Sequence, residues 1–140
     1  MTIAVFDVVL YVDSSALLKR YVHEHDSMAA IDFMASDPVV ATCRITEVEV
    51  RRNLARLLDE NQAATAKRQL LDDLDAFALI AVDAATCNEA ARVSEQTLCR
   101  SLDALHIAAA LRSGRTTTML TFDVRQAQAA RSMGLAVIGT

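Results

Sequence analysis

Apolar residues along this chain fall into short β-branched runs separated by longer segments with helical spacing. Val8–Val12 (VVLYV) is a compact run that predicts a buried strand. Helical patterns follow over Ser14–Val22 and Ser27–Ala35, and Val39–Thr42, after the single proline Pro38, predicts a second strand. Thr46–Leu58 predicts a helix with Val50, Leu54, Leu57 and Leu58 as its buried strip, and a charged helix is expected over about 63–75. Phe77–Val82 predicts a strand, Ala84–Gln96 a helix, and Ser101–Arg112 a nearly all-apolar helix closed by Gly114 as its C′ residue. The last unit is a strand over Thr117–Phe122, a helix over Arg125–Ser132 closed by Gly134, and a strand over Leu135–Ile138.

Strands alternating with helices of ten or more residues imply right-handed crossovers. The expected fold is α/β: a mostly parallel central sheet in a three-layer α/β/α arrangement, with residues 1–140 as one domain. In such sheets ligands bind outside the carboxyl ends of the strands. Asp13 and Asp123 fall there, each where a strand-like run gives way to a helix. Glu49 lies in the first turns of one helix and Asp103 in the first turn of another.

Composition narrows the picture. Hydrophobic residues make up 53% of the 140 residues and aromatics 4%, so the core is aliphatic. A net charge of −4 argues against a wholly basic nucleic-acid footprint, although local arginine clusters can still grip phosphates. Three widely spaced cysteines, Cys43, Cys87 and Cys99, form neither a disulfide framework nor a zinc pattern and are expected as buried, reduced thiols. The N-terminal run lacks a basic n-region and is broken by Asp7, which argues against a signal peptide or a membrane span and for a cytoplasmic protein.

Each acid also has an ordinary explanation. Asp13 and Asp123 can be helix N-caps, Asp103 suits the positive end of a helix dipole, and either Glu47 or Glu49 can be a solvated helix residue. By spacing alone Glu47 and Glu49 point to different faces, and the choice between them stays open. Ser14 and Ser15 add hydroxyls beside Asp13, Thr121 shares the strand face of Asp123, and His106 lies one turn beyond Asp103 among core-like neighbours. As a set the four carboxylates are harder to dismiss, because close like charges need a counter-ion to remain ionised together.

The segments YVDSSALLKRYV, TEVEVRRNL, LDALHIAAAL and TFDVRQAQAARSMGLAVI resemble those of PIN-domain ribonucleases, and among them the VapC-type toxins of bacterial toxin–antitoxin pairs. The resemblance spans essentially the whole chain, with DALHIA and TFD its most specific parts. The Thr-x-x-Glu step falls on Thr46 and Glu49 and favours Glu49 over Glu47. The resemblance carries the family's acidic quartet onto Asp13, Glu49, Asp103 and Asp123, with Ser14 and Thr121 matching the hydroxyl residues near the first and last acids. It implies Mg2+ or Mn2+ held chiefly by Asp13 and Asp103, with Glu49 and Asp123 completing the shell. It further implies hydrolysis of RNA phosphodiesters, a cognate antitoxin and a homodimer.

Phosphate grip is expected from basic residues, with Arg52 and Arg56 on the Glu49 helix the first choice and Lys19, Arg20, Arg51, Arg112 and Arg115 as further candidates. Leu17 with Tyr21, and Ile31 with Met34, could serve partner surfaces or the core. Three rival readings are a phosphate-transfer domain with Asp13 as nucleophile, a nuclease of RNA maturation, and a non-catalytic RNA- or protein-binding module. The first lacks the second acid two residues on, where this chain has Ser15.

Overall fold

The computed structural model describes residues 6–36 and 39–140, so Pro38 and residues 1–5 of the N-terminal run lie outside the described residues. The elements alternate as the sequence predicts: β1 (Phe6–Val12), α1 (Ser14–Leu18), α2 (Ser27–Ser36), β2 (Val40–Cys43), α3 (Ile45–Leu57), α4 (Glu60–Ala76), β3 (Ala78–Ile80), α5 (Ala84–Thr97), α6 (Ser101–Ser113), β4 (Gly114–Leu120), α7 (Val124–Ser132) and β5 (Ala136–Ile138). The five strands form one sheet in the order β3-β2-β1-β4-β5, and every pairing is parallel. The α/β reading holds, with the sheet wholly rather than mostly parallel.

Alternation along β1 builds the layers. Val9 and Tyr11 face a cluster that contains Val93 of α5, Ile107 of α6 and Ala130 of α7. Leu10 and Val12 face the opposite cluster, with Leu17, Met34, Val50, Leu54 and Leu70. Side chains of period two on a strand buried on both faces give this division directly. Leu17 and Met34 are therefore core, not partner surface.

The chain runs outward from β1 through β2 to β3, then returns across the sheet to place β4 on the other side of β1. The gap beyond the carboxyl ends of β1 and β4 is thus the point where strand order reverses, and a crevice opens there by construction. Val12 pairs with Leu120, the last residue of β4, so the segments leaving the two strands start side by side.

Several boundaries differ from expectation. The first helix stops at Leu18 instead of Val22 because the next residues turn away to meet α4. Arg20 donates to both carboxylate oxygens of Asp73 at 3.1 Å, and the Tyr21 hydroxyl donates to one of them at 2.6 Å. Helix α4 starts earlier than predicted, with a capping box in which Asp59 accepts from the Gln62 N–H and Gln62 reaches back to the Asp59 N–H. Gly114 is not a left-handed helix stop: its φ of −173° is extended, and β4 begins there with no loop. Gly134 does close α7 at φ +88°, while α5 ends on Leu98, a non-glycine residue at φ +59°. On α3, Leu57 is exposed because the helix ends there, before its last turn reaches the core. Only Cys43 of the three free thiols is buried; Cys87 on α5 is exposed. At the far end Gly139, at φ +104°, lies against the Thr121 carbonyl so closely that a Cβ would collide with it.

Candidate active site

A cleft of about 350 Å³ opens beyond the carboxyl ends of β1 and β4, lined by Asp13, Ser14, Ser15, Glu49, Arg100, Asp103, His106, Asp123 and Gln126, among others. All four acids singled out in the sequence face this one cleft. They arrive on four different elements: after β1, on α3, on α6 and after β4.

Asp13 is the most enclosed of them, at 2% exposed. It caps α1, accepting from the Ala16 N–H at 2.9 Å. It also accepts from the Ser15 hydroxyl, at 2.8 and 3.0 Å to its two oxygens, and from the Thr121 hydroxyl at 2.6 Å. Burial pushes its carboxyl up, against the opposing pull of His106, Thr121, the Ala16 N–H and Ser15. Three donors on a carboxylate that burial still disfavours leave a group set to gain from a nearby cation. Thr121 is fully buried and donates to Asp13, so it positions that carboxylate. Ser15 is equally committed: its oxygen also accepts from the Phe122 N–H at 3.1 Å and so ties the β1 exit to the β4 exit. Ser14 also lines the cleft.

Asp123 likewise caps its helix, accepting from the Gln126 N–H at 3.1 Å. Gln126 in turn donates its Nε2 to Asp103 Oδ1 at 3.2 Å, while its own Oε1 is buried without a hydrogen-bond partner among the described residues. Burial and the negative charge of Asp123 raise the Asp103 carboxyl, and Arg100, at 3.7 Å, opposes them.

Glu49 is held from below. Thr42 donates to the Val12 carbonyl at 2.6 Å and pairs with Thr46 at 2.7 Å, which fastens the start of α3 to the end of β1. One turn along, Glu49 Oε1 lies 2.6 Å from His106 Nε2. Glu47 instead pairs with Arg51 at 3.0 Å on the helix surface. The two glutamates thus do point to different faces, and Glu49 is the one in the cleft.

The arginines expected first to grip phosphate stand away from the cleft. Arg52 and Arg56 lie on the exposed face of α3 and do not line the cleft, and Arg56 donates to Asn53 at 3.0 Å. Lys19 is paired with Glu24 and Asp26, and Arg20 with Asp73. Arg100 lines the cleft instead, and with Arg125 it lines an adjoining groove of about 480 Å³ that shares Asp103 and runs between the start of α6 and α7. Both arginines were legible in principle: one stands three residues before Asp103 and the other two after Asp123.

The donor set is all oxygen: four carboxylates, the Ser14 hydroxyl and the unpartnered Gln126 Oε1. Such hard donors fit Mg2+ or Mn2+ and not a thiophilic ion. Among the described residues no three acidic, histidine or cysteine side chains converge into a ready-made metal cage. Mg2+ in particular needs none, since it is bound through one or two carboxylates with waters and substrate phosphates in the remaining positions.

Residues 10–132 match the family profile described as the PIN domain. The chain is 35% identical over 131 residues to Ribonuclease VapC46 of Mycobacterium tuberculosis, covering 92% of this chain and 95% of that one. Its backbone superposes on FitAcB from Neisseria gonorrhoeae with a TM-score of 0.73 at 18% identity, covering 92% of this chain and 96% of the other. A chain from a toxin–antitoxin complex of Klebsiella pneumoniae gives a TM-score of 0.65 at 16% identity over 84% of this chain and 88% of that one. With the profile match extending over most of its length, the chain belongs to the PIN-domain family.

Proposed function

We propose that this protein is a metal-dependent endoribonuclease and the toxin of a toxin–antitoxin pair. The observation that carries the reading is the convergence of Asp13, Glu49, Asp103 and Asp123 on one cleft at the point where strand order reverses. The 35% identity to a protein named a ribonuclease supports the choice of RNA over other phosphodiesters. Asp13 and Asp103 would hold a divalent cation, with Glu49 and Asp123 completing its surroundings directly or through water. When bound, the cation would lower the pKa of the attacking water and offset charge on the phosphate.

The chain's own residues prepare this chemistry. Thr121, Ser15 and the Ala16 N–H fix Asp13 in one orientation, and Gln126 fixes Asp103. A cleft carrying four carboxylates repels RNA unless cations answer it. Arg100 at its mouth and Arg125 along the adjoining groove would grip phosphates flanking the scissile bond, the part first assigned to Arg52 and Arg56. Among the described residues no Phe, Tyr or Trp lines either space and His106 is held by Tyr11 and Glu49, so recognition would rest on backbone and shape more than on base stacking. An antitoxin partner and a homodimer belong to the same reading.

Cleavage of total cellular RNA by purified, antitoxin-free protein in Mg2+, in Mn2+ and in EDTA tests it. Discrete fragments are expected in the presence of either metal and none in EDTA. Intact RNA in every lane would favour a non-catalytic binding module.

A further inference from the structure

One chain of hydrogen bonds reaches the cleft from inside the core. Tyr11 is 0% exposed and His106 1%. The Tyr11 hydroxyl lies 2.8 Å from His106 Nδ1, and His106 Nε2 lies 2.6 Å from Glu49 Oε1. The two rings meet edge to face, with centroids 6.0 Å apart and planes at 67°. The three residues come from β1, α6 and α3, the central strand and a helix from each side of the sheet.

Proton positions along this chain follow from its chemistry. Burial keeps the Tyr11 phenol protonated, and the charge of Asp13 adds to that. A buried O–H needs an acceptor, and His106 Nδ1 is within reach to be one. A ring nitrogen 2.6 Å from a carboxylate oxygen needs a proton between them, so His106 carries one on Nε2. That N–H then points at the Glu49 carboxylate, which can only accept. The opposite tautomer would set a nitrogen lone pair against a carboxylate oxygen at 2.6 Å.

Glu49 has three rotatable side-chain bonds and sits at the rim of the cleft, its side chain 21% exposed. Unaided, it would spread over several rotamers. We infer that Tyr11 and His106 are positioning residues: together, through the Nε2–H of His106, they hold the Glu49 carboxylate in the orientation in which it faces the cleft. The inference rests on the reading that Glu49 works in this site. Partners of this kind, which orient a working side chain from behind, change activity by about 10–100-fold when removed.

Long-range 1H–15N spectra of the histidine rings in the full chain test the proton placement without any catalytic assay. The chain has three histidines, and the signals missing from His106→Gln identify His106. A proton on Nε2, directed at Glu49, is expected, and Tyr11→Phe should loosen that placement. A wild-type ring with no proton on Nε2 would overturn the inference. RNA cleavage then tests the coupling. His106→Leu should lower kcat about 10–100-fold, with KM changed by less than about twofold, and His106→Gln, which keeps an N–H, should recover part of the loss. In a Glu49→Gln background the same leucine substitution should cost less than about twofold further, because its target is already gone. An equal loss in both backgrounds, or none in either, would overturn the coupling. If the wild type shows the expected Nε2 proton yet cuts no RNA, the nuclease reading fails and the ring spectra support the Tyr11–His106–Glu49 linkage by themselves.

Discussion

Four aspartates in this chain do the same local job in two very different places. Asp59 and Asp83 cap α4 and α5, each accepting one backbone N–H in its helix's first turn, and both are exposed. Asp13 and Asp123 cap α1 and α7 by the same bond but sit beyond the carboxyl ends of β1 and β4, facing a common cleft. Surroundings separate the two kinds. The Thr86 N–H pulls the Asp83 carboxyl below the usual carboxylate range, the direction expected of a solvated cap. Burial pushes Asp13 the other way despite three donors. A capping aspartate and a site aspartate are therefore not alternatives: the cap fixes the carboxylate, and its place in the sheet decides whether anything else can use it.

The widest separation should appear in Asp103→Asn. Cleavage should fall by about 1,000-fold or more, since several kcal/mol of cation-borne stabilisation are lost at about 1.4 kcal/mol per tenfold. Stability should move in the opposite direction. The folded state raises this carboxyl, so it binds the proton more tightly than the unfolded chain does. Stability of the metal-free wild type should then fall as pH rises from the ordinary carboxylate value through the raised one, and the variant should show a smaller fall, the part that remains coming from the raised Asp13. Melting temperature against pH for both proteins checks the sign.

Next in size is the response to cation. Mg2+ or Mn2+ at about 100 times its Kd should stabilise the wild type by about 2.7 kcal/mol. Asp13→Asn should abolish that gain, and Asp59→Ala should leave it intact. Thermal melts with and without the ion decide it.

Thr121→Val removes a hydroxyl that donates to Asp13 and accepts from the Asp123 N–H. It should cost about 2 kcal/mol of stability, the usual range for a hydrogen bond to a charged group, and reduce cleavage as well. Urea titration with a parallel RNA assay measures both. The smallest effect belongs to the exposed cap. Asp59→Ala should cost about 1 kcal/mol of stability and leave cleavage unchanged.

Much of this was readable in the residues. The β-branched run VVLYV and the segment TTMLTF announced the two strands whose ends carry Asp13 and Asp123, and parallel pairing brought those ends together. Glu49 was separable from Glu47 only through its resemblance to the PIN family, because helix spacing says that the two diverge and not which one faces inward. Tertiary contacts hid the rest. The first helix ends at Leu18 because Arg20 and Tyr21 bond Asp73, more than fifty residues away. That Arg100 and Arg125 line the cleft and its adjoining groove depends on how the start of α6 meets α7, which periodicity does not encode. Thr121 was singled out as the hydroxyl near the last acid; folding buries it, with its hydroxyl donating to Asp13 and its backbone N–H to the Ile138 carbonyl at 3.1 Å.

The most direct test of the central claim sets one aspartate of each kind against the other. Purified Asp13→Asn and Asp83→Asn proteins, both still able to cap their helices, are assayed side by side on total RNA with Mg2+ or Mn2+. The account predicts wild-type cleavage from Asp83→Asn and none above background from Asp13→Asn. Equal cleavage by the two variants would mean that Asp13 is only a cap and that the acidic cleft is not the seat of the chemistry.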